Sequence, residues 1–274
     1  MIAQTRRILL GGAPVEVTLS GGVLEAPDGR RISPDDAIHL PPCQPSKIIC
    51  VHLNYQNRID ELKTEGPPAP NYFLKAPSSL NSHKGVVIRP RGTRFLNYEG
   101  EVAIVIGRTA RNIRVAEALD YVAGYSLAND FAIHDFRHAD RGSMLRVKSA
   151  DTLAPVGPGL VRGWQPEDQV LRTRVNGQVV QESGLKGMVF PVAYLVADLA
   201  RIMTLVPGDV IFSGTPSNSR PVEPGDVVTV ECDGLGVLEN VIAEGEHDLS
   251  DEAGWMPQSS DQALGVALGI QLRE

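Results

Sequence analysis

The amino-acid sequence predicts a mostly β protein with some α-helix, in which a mixed β-sheet forms a roll or sandwich. The 27 glycines and 20 prolines make up about 17% of the 274 residues, above the usual proportion of about 12%. Most apolar runs are short and bounded by turn residues, which is typical of strands. The clearest helical spacing of apolar residues is confined to residues 191–203. Strands should therefore dominate, with a few helices packed outside the sheet.

Residues 1–45 predict a small N-terminal β domain. Gly-Gly pairs and a Pro-Asp-Gly turn break this segment, and residues 15–19 alternate apolar and polar side chains as a half-buried strand does. Pro41, Pro42 and Pro45 then indicate a linker.

Residues 46–248 predict the main domain, a β-roll. The expected elements of its first half are a strand at 48–51, a short helix at 54–62 and strands around 72–74, 86–88 and 102–106.

The second half of this domain contains the helical patterns. Residues 115–122 predict a helix that ends at Gly124. Residues 191–203 predict a longer helix, with a proline in the first turn and apolar residues at i, i+4, i+7 and i+8. Two Pro-Gly-Asp turns then introduce strands. Residues 249–274 have sparse patterning and are interpreted as a C-terminal tail without an assigned function.

Composition and charge exclude several classes of function. The 26 basic and 33 acidic residues give a net charge of −7, whereas a nucleic-acid binder has a basic field. Three widely spaced cysteines without a C-x-x-C motif argue against a disulfide framework and a cysteine zinc site. No secretory signal or membrane-spanning apolar stretch is visible. We expect a cytoplasmic protein that binds neither nucleic acid nor membrane.

Three carboxylates attract attention as a candidate metal site. Glu99 and Glu101 are two residues apart at the start of a buried strand, so their side chains point to the same side. They repel each other unless a cation or a proton lies between them, although a solvated strand end is the alternative interpretation. Asp130 follows a second apolar strand and offers a third oxygen ligand. This set favours Mg²⁺ or Mn²⁺, and Lys148 would balance the remaining negative charge.

The order of motifs resembles the fumarylacetoacetate hydrolase family. The matching pieces are N-Y-E-x-E-x-x-x-V-I-G at 97–107, G-Y-x-x-x-N-D at 124–130, R-x-K-x-x-D at 146–151, P-x-G-P at 155–158 and S-G-T-P at 213–216. The resemblance covers roughly residues 47–244 and is strongest to the homoprotocatechuate-pathway isomerase/decarboxylase branch.

This resemblance implies the β-roll of the family's C-terminal domain, a homodimer, and Mg²⁺ or Mn²⁺ bound by the three carboxylates. It also implies that Lys148 and the backbone of Gly214 and Thr215 lie beside a small-molecule 2-oxo acid or its enol. Arg137 aligns with a polar position that faces the substrate in the family. Lys75 matches a family position as well, but a surface lysine at a strand end is common and is the favoured interpretation.

One departure from the family bears on the reaction. Hydrolases of the family often carry N-Y-x-x-H-x-x-E, whose His–Glu pair activates water. Here Glu61 is kept, but Arg58 stands at the histidine position. Arginine stays protonated and is no ordinary base, whereas its planar fork can bind a carboxylate.

Together with the resemblance, these residues favour decarboxylation or isomerisation of a small, enolisable 2-oxo dicarboxylic acid, and the resemblance implies a substrate from aromatic catabolism. Decarboxylation chiefly needs an electron sink, and isomerisation adds a proton shuttle, for which Lys148 or Glu61 are candidates. C–C bond hydrolysis and non-catalytic binding on the same scaffold are the alternatives. His134 and His138, four residues apart, are open to three interpretations: a zinc motif, a polar loop, or a replacement for the missing base.

Overall fold

A computed structural model describes residues 4–270 of the chain. Within these residues strands dominate, as predicted, and five α-helices and four 3₁₀-helices lie among them. The first strands are β1 (Gln4–Leu10), β2 (Ala13–Ser20), β3 (Val23–Glu25), β4 (Arg31–Ile32), β5 (Ile38–Leu40), β6 (Ile48–His52), β7 (Asn71–Lys75), β8 (Leu80–Ser82), β9 (Val86–Arg91), β10 (Leu96–Asn97) and β11 (Gly100–Ile106). The remaining strands are β12 (Val122–Asn129), β13 (Ala132–Ile133), β14 (Ala154–Val161), β15 (Val170–Val175), β16 (Gln178–Gly184), β17 (Val210–Phe212), β18 (Val227–Cys232) and β19 (Gly236–Asp248). The α-helices are α1 (Gln56–Leu62), α2 (Arg137–Asp140), α3 (Leu145–Lys148), α4 (Val192–Ile202) and α5 (Asp261–Leu268), and the 3₁₀-helices span Pro77–Ser79, Val115–Tyr121, His134–Phe136 and Leu185–Gly187.

The strands form two large mixed sheets and one short ribbon. The first sheet has the order β4-β3-β2-β1-β14-β12-β11-β17-β6-β7, with β5 beside β1 and β8 beside β14. The second has the order β16-β15-β18-β19-β9, and β10 pairs with β13. Parallel pairs (β6 with β17, β8 with β14, β9 with β19) occur among antiparallel ones. Mixed pairing of this kind is the predicted fold class.

The N-terminal strands continue the first sheet. Gln4 pairs with Val161 of β14, so β1 joins the N-terminal meander directly to the strands of the main body. A small apolar cluster fills the inside of the meander, formed by Ile8, Val17, Leu24 and Ala26. This segment therefore has few core residues of its own and is anchored by backbone pairing.

The main core lies between the two large sheets and α4. β11 is buried along its whole length, as its uninterrupted apolar run indicates for a strand covered on both faces. One cluster joins residues of the first sheet, the second sheet and the helix, among them Ile104, Val230 and Leu199. β11 thus begins beside the carboxylates predicted to bind a metal and runs into this core.

Two helix predictions had different outcomes. The helix predicted over 191–203 is α4, one residue shorter at each end. The helix predicted over 115–122 is a 3₁₀-helix that ends at Tyr121, and the prediction that Gly124 terminates it is wrong, because this glycine lies within β12. A Cβ at Gly124 would lie 2.5 Å from the carbonyl oxygen of Val161. The glycine is thus required by close contact between β12 and β14.

Both Pro-Gly turns introduce strands as predicted. Gly208 and Gly225 have φ of 91° and 97°, which a type II turn requires at its third residue. The strands that follow, β17 and β18, belong to different sheets. Across residues 4–270, no helix has the length and apolar character needed to cross a bilayer.

Replacing Asp209 with alanine is expected to lower the free energy of unfolding by about 3 kcal/mol. The buried carboxylate accepts hydrogen bonds from the Ser46 hydroxyl (2.6 Å) and the Val206 amide (2.8 Å) and pairs with Lys47. Urea denaturation measures the loss, with the exposed Asp251→Ala as control. Equal urea midpoints for the Asp209 variant and the wild type would contradict the structural role.

Candidate active site

Three carboxylates converge where β11 begins and β12 ends. The antiparallel register places Gly100 opposite Asn129, so Glu99, Glu101 and Asp130 fall at the same edge. The Asp130 amide donates to the Glu99 carbonyl (2.8 Å), and the Glu99 amide donates to the side chain of Asn129 (2.7 Å). The three carboxylate groups offer oxygens within 4.8 Å of one another. The structure therefore brings together the predicted metal ligands.

Two buried lysines hold these carboxylates. The Lys148 ammonium donates to Glu99 Oε2 (2.6 Å), Asp130 Oδ2 (2.8 Å) and the Asp130 carbonyl (2.8 Å). Lys75 donates to Asp130 Oδ1 (2.6 Å) and the Phe131 carbonyl (3.0 Å). Lys75 is 1% exposed, so it is a buried partner of the acidic cluster and not a surface lysine.

The charges of this cluster shift its pKa values in opposite directions. Burial favours the neutral form of Asp130, but the ammonium groups of Lys148 and Lys75 outweigh it and lower the pKa of this carboxyl. Burial likewise acts against the charged form of Lys148, yet Asp130 and Glu99 raise the pKa of the lysine above its usual value. Burial raises the pKa of Glu101, and the charges of Asp130 and Glu99 raise it further.

The donor set fits a hard divalent cation. Among residues 4–270, these three carboxylates are the single cluster of possible metal ligands. Their oxygens lie within 4.8 Å of one another, which is close to the distance of about 4.2 Å between opposite ligands of Mg²⁺. With both lysines protonated, the three carboxylates retain one uncompensated negative charge. Burial is the main cause of the raised pKa of Glu101, and this excess charge raises it further; a cation would remove the excess. Glu99, Glu101 and Asp130 would hold such an ion.

A loop after β17 closes the site on the other side. The Gly214 amide donates to Glu101 Oε2 (2.6 Å), and Gly214 has a φ of 94°. A Cβ there would lie 2.7 Å from the Cβ of Asn54, so glycine permits both the turn and the close approach. Asn54 donates to the Ser213 carbonyl (2.7 Å). Thr215 accepts from the Gln181 amide (3.1 Å).

Arg58 and Glu61 lie on one face of α1 and form an ion pair. Arg58 Nη1 donates to Glu61 Oε2 (2.5 Å), and Arg220 donates to the other oxygen of Glu61 (2.7 Å). Burial acts to raise the pKa of Glu61, but hydrogen bonds and charges of the two arginines outweigh it and lower this pKa. A carboxylate held in this way is a weak base. Lys148, with all three N–H groups engaged, is poorly placed to shuttle protons.

A cavity of about 390 Å³ connects these groups. The acidic triad, Lys148 and Thr215 line it together with Arg58, Arg137 and two histidines, His52 and His134. Gly214 touches the triad through Glu101 and is not among the lining residues. His138 does not line the cavity and packs edge-on against Trp255 at 5.7 Å between ring centroids. No metal cluster in residues 4–270 includes either His134 or His138, which argues against the zinc interpretation.

The C-terminal segment contributes part of the cavity wall, which the sequence analysis missed. Gln262, Val266 and Ile270 line the cavity. The buried Asn97 side chain donates to the Ala267 carbonyl (2.9 Å) and so ties α5 to β10. The overlooked signal was the helix boundary itself, because Ser260 caps α5 with its hydroxyl and a glycine follows its last turn.

Comparison with known proteins places this site in a family. Residues 47–243 match the family described as fumarylacetoacetate (FAA) hydrolase C-terminal, close to the span expected from the motifs. An uncharacterised protein of Methanocaldococcus jannaschii is 42% identical over 211 residues, which cover 77% of this chain and 89% of the relative.

Two further matches have functional names. The 4-hydroxyphenylacetate degradation bifunctional isomerase/decarboxylase of Escherichia coli is 39% identical over 249 residues, covering 89% of this chain but 58% of the relative. The chain thus spans little more than half the length of that protein. The structure of 5-carboxymethyl-2-hydroxymuconate delta-isomerase from Mycobacterium smegmatis is 33% identical, with a TM-score of 0.82 over 89% of this chain and 100% of that chain. The chain therefore belongs to the fumarylacetoacetate hydrolase family of enzymes.

Proposed function

We propose that the protein is a Mg²⁺- or Mn²⁺-dependent enzyme that decarboxylates or isomerises a small, enolisable 2-oxo dicarboxylic acid in aromatic catabolism. One observation carries this proposal: the acidic triad and two guanidinium groups, those of Arg58 and Arg137, line the same cavity. The triad would hold the ion, and the guanidinium groups suit the carboxylates of the substrate.

The residues of the triad and their partners have distinct roles. The bound ion would act as a Lewis acid that stabilises negative charge on the oxygen of the 2-oxo group. Lys148 keeps Asp130 ionised and fixes the positions of Asp130 and Glu99, so it is a positioning residue. Thr215 accepts one hydrogen bond from Gln181, which leaves its hydroxyl proton to be donated into the cavity.

Arg137 is suited to a second substrate carboxylate. Its side chain is half-buried at the cavity wall, and no carboxylate within residues 4–270 forms an ion pair with it. Burial lowers the pKa of this guanidinium, yet arginine remains protonated in proteins. A half-buried cation without a carboxylate partner attracts an anionic ligand, and this favours a dicarboxylate over a monocarboxylate.

Decarboxylation or isomerisation is favoured over C–C bond hydrolysis. Hydrolases of the family often activate water with a His–Glu pair, but here Arg58 occupies the histidine position and Glu61 is neutralised by two arginines. The names of the matched E. coli isomerase/decarboxylase and M. smegmatis delta-isomerase agree with this preference.

A substrate panel with controlled metal tests the proposal. Purified protein would be stripped with EDTA, reloaded with Mg²⁺ or Mn²⁺, and assayed with oxaloacetate, 2-oxoadipate and acetylpyruvate. We expect metal-dependent decarboxylation or enolisation and slower cleavage of acetylpyruvate. Faster cleavage of acetylpyruvate would identify a hydrolase, and binding without turnover in any metal would identify a binding protein.

Arg137→Met is expected to raise KM for a 2-oxo dicarboxylate by about 10- to 100-fold, since a charge-assisted hydrogen bond contributes about 1.5–3 kcal/mol. KM for the corresponding monocarboxylate should change little. Steady-state kinetics on both substrates measure the difference. The matched control is Arg141→Met, because Arg141 is exposed, lies four residues from Arg137 and does not line the cavity. Equal increases in KM for both substrates would rule out recognition of the second carboxylate.

A further inference from the structure

His134 is a buried side chain at the cavity wall that none of the roles above uses. It is 1% exposed and lines the cavity. Within residues 4–270, neither ring nitrogen has a hydrogen-bond partner. Buried polar atoms of proteins are nearly always hydrogen-bonded. An imidazole with both nitrogens unpaired at a cavity is therefore available to a ligand.

The backbone around His134 is held firmly. Its amide donates to the Phe95 carbonyl (2.9 Å), and the next side chain, Asp135, accepts from the Phe95 amide (2.8 Å). The ring is thus presented by a segment with little freedom to move, as a reacting group requires.

Burial and the positive charges that face the ring keep it neutral. Burial lowers the pKa of His134, and the nearby cations Arg137, Lys148 and Arg58 lower it further. A neutral imidazole has one nitrogen that accepts a proton and one that donates. The same cations would stabilise the negative charge that develops on a substrate when it loses a proton.

The other ionisable groups that line or adjoin the cavity are already bonded within the protein. Lys148 uses all three of its N–H groups, Glu61 is paired with two arginines, and the acidic triad is engaged by lysines and by the Gly214 amide. Lys75 is likewise bonded to Asp130. His52 is the remaining rival, because it is also at the cavity wall and burial lowers its pKa to about 4. The pKa of His134 is lowered as well, so burial separates the two rings: the His52 ring is partly exposed, whereas His134 is 1% exposed.

We propose that His134 is the proton-transfer group of this site, an inference that rests on the proposed function. The imidazole removes a proton from the carbon beside the 2-oxo group, and the C–H electron pair moves into the C=C bond of the enolate while its oxygen takes the negative charge. The imidazolium returns the proton to the same carbon or to another carbon of the conjugated chain. No net proton or electron is gained, and the return to a different carbon is isomerisation.

The test measures deuterium exchange at C3 of 2-oxoadipate by NMR in D₂O. The full chain is loaded with Mg²⁺ and kept free of Mn²⁺ in this experiment. His134→Gln is expected to slow the exchange by at least about 100-fold, the usual contribution of a general base. Its affinity for Mn²⁺, measured separately by calorimetry, should stay within about twofold of the wild type. Added imidazole should restore part of the exchange in His134→Ala. His138→Gln, the same substitution outside the cavity, should exchange at the wild-type rate.

Each contrary result has a distinct meaning. Wild-type exchange in His134→Gln, or loss of exchange in His52→Gln alone, would overturn the assignment while leaving the proposed function intact. A Mn²⁺ affinity weakened more than tenfold in His134→Gln would show a structural role and overturn it as well. Absence of metal-dependent exchange and turnover in the wild type, with every substrate, would overturn the proposed function and this inference together.

Discussion

Glu101→Gln is expected to stabilise the metal-free protein and at the same time to abolish its response to metal. In EDTA, burial and the charges of Asp130 and Glu99 raise the pKa of Glu101, so its ionised form is unfavourable in the folded state. Glutamine has the same shape, can still accept from the Gly214 amide, and removes that charge. Turnover should fall by about 1000-fold, or about 4 kcal/mol of transition-state stabilisation, because one ligand of the ion is lost.

The stability of the metal-free protein should depend on pH through Glu101. A carboxyl whose pKa is raised on folding binds its proton more tightly in the folded state, so it destabilises the fold progressively as pH rises above the pKa of the unfolded chain. This slope should be present in the wild type with EDTA and smaller in Glu101→Gln. Thermal unfolding from pH 4 to 8, with and without Mg²⁺, measures both predictions.

The exposed Glu65→Gln is the matched control for Glu101→Gln and should change neither stability nor turnover. If Glu101→Gln lowered the melting temperature in EDTA, the repulsion inferred among the carboxylates would be absent. If Mg²⁺ stabilised this variant as much as the wild type, Glu101 would not be a ligand.

Lys148→Met is expected to lower the free energy of unfolding in EDTA by about 3–5 kcal/mol, the usual cost of leaving a buried charge without its partner. The change leaves Glu99 without its ammonium partner and Asp130 with Lys75 alone. Mn²⁺ should restore much of this stability, because the ion supplies positive charge to the same carboxylates. Turnover should remain reduced by about 100-fold, as for other groups that orient metal ligands.

Chemical denaturation with EDTA and with Mn²⁺ separates these two effects of Lys148→Met. Lys186→Met is the matched control, since its ion pair with Asp168 is exposed and such pairs contribute about 0–1 kcal/mol. Unchanged stability of Lys148→Met in EDTA would show that Lys148 does not neutralise the cluster. A variant destabilised equally in both conditions would show that the ion does not bind at these carboxylates.

Local patterns predicted most elements of the main body because each depends on neighbouring residues. The buried strand β11, the helix α4 and the Pro-Gly turns were all visible as short-range spacing. Gly124 was misinterpreted because its requirement is a contact with Val161 on another strand. The C-terminal helix α5 was overlooked because its apolar pattern is weak and its position at the cavity depends on Asn97, far away in the chain.

The sequence by itself determined the mixed β class, the acidic triad and the family, because alternation, charge and ordered motifs are properties of neighbouring residues. Only the tertiary structure decided what surrounds these groups. It buried Lys75 against Asp130, locked Glu61 between Arg58 and Arg220, and left both nitrogens of His134 unpaired at the cavity. Desolvation and pairing of charges depend on distances between residues that are remote in the chain, and these distances exist only in the folded protein.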